Sequence, residues 1–163
     1  MSIKQALINE LKHEAQNTRK LLECVPEEHF AYKPHEKSTT LQRLATHIAE
    51  IPVWTTRALT SEEFDAASLK PRLAANREEL LHLHEETVKE AEAALSNASE
   101  EELMNMWTLR RGEHTIFSLP KAAVIRNISS NHLYHHRGQL TVYLRLLDVL
   151  VPGTYGPSAD DAL

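Results

Sequence analysis

The chain has 163 residues, 42% apolar and 25% charged, which is the size and make-up of one soluble domain able to bury a core without disulfides or a structural metal. Its 18 Lys and Arg against 23 Asp and Glu leave a net charge of −5, which argues against a nucleic-acid partner, since such a partner needs a local excess of basic residues. No apolar run reaches the ~20 residues of a membrane span, Glu10, Lys12 and Glu14 stand where a signal peptide needs its apolar stretch, and the lone Cys24 can form no intrachain disulfide; the protein is read as cytoplasmic.

Ser2 and Gln5 have capping-box spacing, and Ile3, Leu7, Leu11, Ala15, Thr18 and Leu22 recur at helical intervals, so a first helix is expected over about residues 2–24. Pro26 and Pro34 make "VPEEHFAYKPHEKS" a loop. A second helix opens at Ser38 or Thr39 and carries Leu41, Leu44, Ile48 and Ile51, with a kink or early end at Pro52. After the polar link "TSEEFDAASLK", a third helix is expected from Pro71 to Leu95. Its His82 and His84 are two positions apart, cannot share a ligand, and read as solvent-exposed.

"MWTLRRGEHTIF" reads as a small β-hairpin turning at Gly112. Ser118 and Pro120 then start a last helix running to about Leu150, and residues 151–163 form an irregular tail. Four amphipathic helices in a single domain over 1–163 predict an all-α four-helix bundle, with no internal repeat of the kind a solenoid shows.

Ten histidines are about twice ordinary usage, so their placement matters. In "NHLYHHRGQL", with His132 at zero on a wheel of about 100° per residue, Ile125 and Tyr143 lie near about +20°, Ile128 and Leu146 near about −40°. His136, at about +40°, shares this apolar stripe, and His135, at about −60°, sits at its margin. His132 and His136 are thus an i, i+4 pair able to share one metal ion, and two imidazoles in an apolar stripe are costly without such a partner. His47 borders the stripe of the second helix and is the natural third ligand. On the same wheels Glu50 falls off the site and offers no general base. Arg137 points away, toward a surface ion pair or dimer contact. Gly138 suits close approach of a neighbouring helix, Gln139 suits support of a ligand imidazole, and Tyr143 fits a pocket wall or a core position.

The segments "LATHIAEIPVW", "NHLYHHRGQLTVYLR" and "VPGTYGPSAD", with "YKP" at Tyr32–Pro34 and the hairpin, resemble the DinB-like family of metal-binding four-helix proteins, which includes YfiT-like hydrolases. The resemblance covers most of the chain. It implies a four-helix bundle with long crossover connections, a homodimer, and a divalent metal, zinc or nickel, held by His47, His132 and His136. It also implies, for some members, S-transfer or isomerisation with low-molecular-weight thiols.

Three neutral imidazoles leave an open position on such an ion, where water or a small thiol becomes a nucleophile near neutral pH. The expected function is therefore a metal-dependent thiol S-transferase or hydrolase acting on a small molecule, the alternative being a non-catalytic metal-binding homodimer in a stress response. A nuclease is disfavoured by the acidic charge and the lack of a carboxylate cluster for two metals.

Overall fold

A computed structural model describes residues 2–161. Helix α1 spans Ile3–Glu23, and the Ser2 hydroxyl accepts from the Gln5 amide at 3.2 Å, as the capping spacing predicts. After the Pro26 connection, α2 spans Leu41–Glu50. Its cap is Thr40, one residue past the expected Ser38 or Thr39, because Thr40 is the extended residue whose hydroxyl reaches the Arg43 amide, at 3.2 Å. The helix stops at Glu50, ahead of Pro52, and resumes as α3, Val53–Thr60.

Helix α4 spans Arg77–Asn97, so it starts six residues later than the Pro71 onset expected from proline's place at helix starts. A capping box decides the matter. The Asn76 side chain accepts from the Glu79 amide at 2.8 Å, and the Glu79 carboxylate accepts from the Ala75 amide at 2.8 Å. Leu80, Leu83, Thr87, Ala91 and Leu95 form the buried stripe of α4.

His84 belongs to the same stripe, which corrects its reading as solvent-exposed; it is only 3% exposed, while His82 faces solvent as expected. Leu80 and Thr87 flank it at helical spacing and turn it toward α1, where Nε2 donates to the Ala15 carbonyl at 3.1 Å. Nδ1 is buried with no hydrogen-bond partner. Burial pushes the imidazole's pKa down despite the Ala15 bond, so the folded protein holds it neutral. Because the unfolded chain protonates this group near pH 6.5, its contribution is complete above that pH and is lost as pH falls, by up to about 1.4 kcal/mol between pH 7.5 and 5.5. Urea melts should show this loss diminished in His84→Leu; equal losses in both proteins would refute it.

The hairpin is present as β2, Met106–Arg111, and β3, His114–Pro120, joined at Gly112 with φ +58°. The expected polar link contributes a third strand that was not foreseen, β1 at Glu63–Asp65, parallel to β2. Three residues are too short a run for alternation to signal a strand. The strand is held by Arg110, which pairs with Glu63 at 2.9 Å and Asp65 at 2.7 Å.

The last helix covers residues 121–146: α5 at Lys121–Val124, a π-helical stretch at Ile125–Asn131, and α6 at His132–Leu146. Ser118 lies inside β3, pairing with Thr108, and the helix ends four residues before Leu150, where Asp148 takes φ 57° and turns the chain. Helix α4 packs on α1, α2 and α3, and α6 packs on α2 and α1, which completes a four-helix bundle whose second member is broken at Pro52. One core, including Leu21, Leu44, Ile48, Leu83, Leu140 and Leu144, lies between α1, α2, α4 and α6. Another, around Leu7, Leu95, Trp107 and Val124, lies under the sheet.

Candidate metal centre

The π-helical stretch sets the geometry of the site. Each i→i+5 closure loosens the winding, and such a stretch shifts the following face by about one residue, or roughly 100°. Upstream, Val124 and Ile125 face the sheet-side core; downstream, Leu133, Arg137, Leu140, Tyr143 and Leu144 are the buried positions. The buried face of α6 is thus turned away from the one a uniform wheel places around His132. His132 and His136 stand on its border, half-buried, and His135 is exposed.

Helix α2 brings His47 to the same border, with its side chain 26% exposed while Leu44, Ile48 and Ile51 are buried beside it. The Nε2 atoms of His47 and His132 are 3.2 Å apart, and those of His132 and His136 are 2.9 Å apart. Candidate ligand atoms of all three histidines lie within 4.8 Å of one another. These are the three positions singled out in the sequence.

The outer ring nitrogens decide what this convergence means. His132 Nδ1 lies 3.3 Å from the Ile128 carbonyl, which can only accept, so this nitrogen carries the proton. His136 Nδ1 lies 2.7 Å from the side-chain oxygen of Gln139, which places a proton there as well. Both Nε2 atoms then present lone pairs to each other at hydrogen-bond distance with no hydrogen between them. A cation removes the conflict. Ligand nitrogens about 2.0–2.1 Å from a tetrahedral zinc are separated by about 3.3 Å, close to the spacing found here. The trio fits a divalent metal.

Burial first, and then the neighbouring His47 and His136, push the His132 pKa down to about 4; burial likewise lowers His136 although Gln139 opposes it. Both rings are neutral at pH 7, the form that binds a metal. Among the described residues no carboxylate or thiol joins the three histidines, so the set leaves room for an outside ligand.

Two surrounding assignments need correction. Glu50, placed off the site by the wheel, has a carboxylate oxygen 3.8 Å from His47 Nδ1 and accepts from Arg43 at 3.1 Å. Burial raises the Glu50 pKa, and His47 and Arg43 more than offset it, leaving the carboxylate favoured. Arg43, His47 and Glu50 are spaced i, i+4, i+7, so they share one side of α2, and the spacing in the sequence could have revealed them. Glu50 stands behind His47 beyond hydrogen-bond distance; the Arg43 guanidinium is the nearer group, 3.5 Å from His47 Nδ1, and Glu50 holds Arg43 there.

Arg137 is the other correction: it is neither a surface ion pair nor a dimer contact but is buried at 3% exposure, bonded to Glu14 at 2.5 Å and to Thr18 at 3.1 Å. The rotated face of α6 is the reason. Gly138 has open space around it and no neighbouring helix against it among the described residues. Gln139 bonds His136 as its position suggests, and Tyr143 is a core residue whose hydroxyl donates to the Thr39 carbonyl at 3.1 Å.

Beside His47 and Glu50 opens a cleft of about 260 Å³, walled by Ile51, Trp54, Arg57 and Leu83 among others. It offers space for a small molecule next to His47, the one histidine of the trio that lines it.

Comparison with known proteins gives the setting. The DinB family matches residues 1–162. A DinB-like protein from Bacillus cereus ATCC 10987 has the same fold, with a TM-score of 0.73 and 21% identity over 93% of this chain and 97% of that one. YfiT from Bacillus subtilis, described as "a probable metal-dependent hydrolase with an unusual four-helix bundle topology", is similar with a TM-score of 0.64 and 16% identity, over 89% of this chain and 87% of YfiT. The mycothiol-dependent maleylpyruvate isomerase gives a TM-score of 0.58 and 15% identity over 93% of this chain, which spans 65% of that protein. No helix among the described residues is long and apolar enough to cross a membrane.

Proposed function

The chain belongs to the DinB family, and we propose that it is a metal-dependent enzyme of small-molecule chemistry, using His47, His132 and His136 to hold zinc or nickel. The observation that carries this reading is the meeting of unprotonated Nε2 atoms, 2.9 Å apart in the His132–His136 pair, on rings whose protons are fixed on the far side. When bound, a divalent ion with an open position supplies a nucleophile at neutral pH, from water or from a small thiol.

The protein's own residues do the rest. The Ile128 carbonyl and the Gln139 side chain hold the protons of His132 and His136 on Nδ1 and so keep Nε2 free. Glu50 and Arg43 hold His47 in place from behind. The cleft beside His47 receives the electrophile, and its apolar wall excludes water from one side of it.

Thiol S-transfer is favoured over hydrolysis for one reason: the carboxylate that lines the cleft among the described residues, Glu50, is engaged by Arg43 and lies against His47 Nδ1, on the far side of that ring from Nε2, where it is poorly placed as a base toward water. A thiol bound as thiolate needs none. On this fold YfiT is described as a probable metal-dependent hydrolase, and the maleylpyruvate isomerase is named as dependent on the thiol mycothiol. The protein is taken to work in the cytoplasm as a homodimer.

Cobalt-substituted protein tests the proposal. Titration with cysteine should bring in a thiolate-to-metal absorption band, and azide should compete with it. If neither probe alters the spectrum, the site is closed and the non-catalytic alternative takes its place.

A further inference from the structure

The cleft beside His47 has a charge opposite to that of the protein as a whole. Arg43, Arg57, Lys70 and Arg72 line it against one carboxylate, Glu50, in a chain of net charge −5. Glu50 is already paired with Arg43, at 3.1 Å, and reaches Arg57 only through space, so among the described residues none of the other three cations has a carboxylate within ion-pair distance.

Arg57 differs from the two others. Lys70 and Arg72 are exposed and solvated, whereas Arg57 is half-buried, with its guanidinium carbon 4.8 Å from the Trp54 ring centre and 4.3 Å from that of Phe64. The two rings meet edge to face, 5.6 Å apart. The rings hold the guanidinium in place but offer its N–H groups no hydrogen-bond acceptor. Among the described residues no carboxylate, carbonyl or hydroxyl accepts from those groups. A partly desolvated guanidinium with idle donors is unfavourable unless something completes it, and the group that matches its planar fork is a carboxylate.

We infer that the cleft takes a small organic carboxylate with an apolar body, its carboxylate on Arg57 and its body against Ile51, Trp54 and Leu83. This rests on the enzymatic reading of the neighbouring histidines, since the ligand so held is the electrophilic substrate. Arg57 anchors one end, which turns the other toward His47, and Lys70 and Arg72 at the rim draw anions in. An apolar body is required because aliphatic and aromatic side chains form the wall.

The test uses phenylacetate, its neutral analogue phenylacetamide, and inorganic phosphate, titrated into chelator-treated full-length protein and followed by the Arg57 Nε–H signal in nuclear magnetic resonance. Removing metal beforehand prevents the carboxylate from binding there instead. Phenylacetate should shift the Arg57 signal, phenylacetamide should bind at least about tenfold more weakly, and Arg57→Gln should reduce phenylacetate affinity by about tenfold or more. Arg57→Lys, which keeps the charge and the stem on the rings, should recover only part of it and guards against misfolding as the cause.

Equal binding of acid and amide, an affinity untouched by Arg57→Gln, phosphate binding as tightly as phenylacetate, or no binding at all would each overturn the inference. The two proposals fail separately. Loss of the carboxylate site leaves metal content unchanged, and a metal-free His132→Ala, His136→Ala protein should bind phenylacetate as the metal-free parent does.

Discussion

Replacing His132 and His136 together by alanine is expected to abolish metal binding, from about one ion per chain to none. One imidazole, His47, would remain of the three whose Nε2 atoms meet, and a single neutral ligand does not hold a divalent ion against water. The parent protein should gain stability from zinc or nickel by mass action, about 2.7 kcal/mol at a metal concentration a hundred times Kd. For a chain of this size that is a rise in Tm of about 5–10 °C. The variant should gain none.

Without metal the order changes. The parent holds two lone pairs face to face at 2.9 Å, on rings whose outer protons are tied to Ile128 and Gln139. Removing both rings relieves that conflict, so the metal-free variant should melt no lower than the metal-free parent. Metal analysis by mass spectrometry and calorimetry with and without chelator test both points. An ion retained by the variant would defeat the assignment.

Much of this was readable in the sequence, and the parts that were not have physical causes. The four helices followed from apolar spacing, and the hairpin from strand-forming residues around Gly112. Helix starts were less accurate because capping competes among neighbours: Thr40 prevailed over Ser38 and Thr39, and Asn76 with Glu79 over Pro71. Strand β1 exists only through its pairing with β2, a tertiary cause that three residues cannot announce.

The histidine trio emerged from a wheel whose center was misplaced. A uniform turn of about 100° treats residues 121–146 as one α-helix, and the π-helical stretch Ile125–Asn131 breaks that assumption. His132 and His136 keep their mutual i, i+4 relation because both lie in α6, beyond the break. Relations across the break did not survive. The true buried face contains Leu133, Arg137, Leu140 and Leu144, and the histidines lie at its edge. That edge position suits a site, since ligands at the center of the stripe would have no access to a cleft. The π-helical stretch thus lets one continuous helix serve the sheet-side core with one end and the histidine site with the other.

The same rotation puts Arg137 inside the bundle, and its removal should be the most destabilising single change in the chain. The side chains of Arg137 and Glu14 are 4% and 8% exposed and meet at 2.5 Å. Arg137 also donates to the Thr18 hydroxyl and to the Tyr155 hydroxyl, while Tyr155 itself donates to Glu14 at 2.7 Å. Its guanidinium lies 5.5 Å from the Tyr134 ring centre and 5.2 Å from that of Tyr155.

Arg137→Ala would leave the Glu14 carboxylate buried without its cation, at a cost of about 3–5 kcal/mol. The cost of an unpaired charge exceeds the net worth of the pair, so changing both partners should be milder than changing one. Glu14→Met with Arg137→Met, which fills the space with apolar volume, is therefore expected to recover about 2 kcal/mol or more of what Arg137→Ala loses in urea denaturation. Tyr155 gives an independent readout: with both of its partners gone in the double variant, the tail should be cut faster by chymotrypsin than in the parent although the bundle is restored. A double variant no more stable than Arg137→Ala would mean that side-chain packing, and not the buried charge, makes Arg137 indispensable.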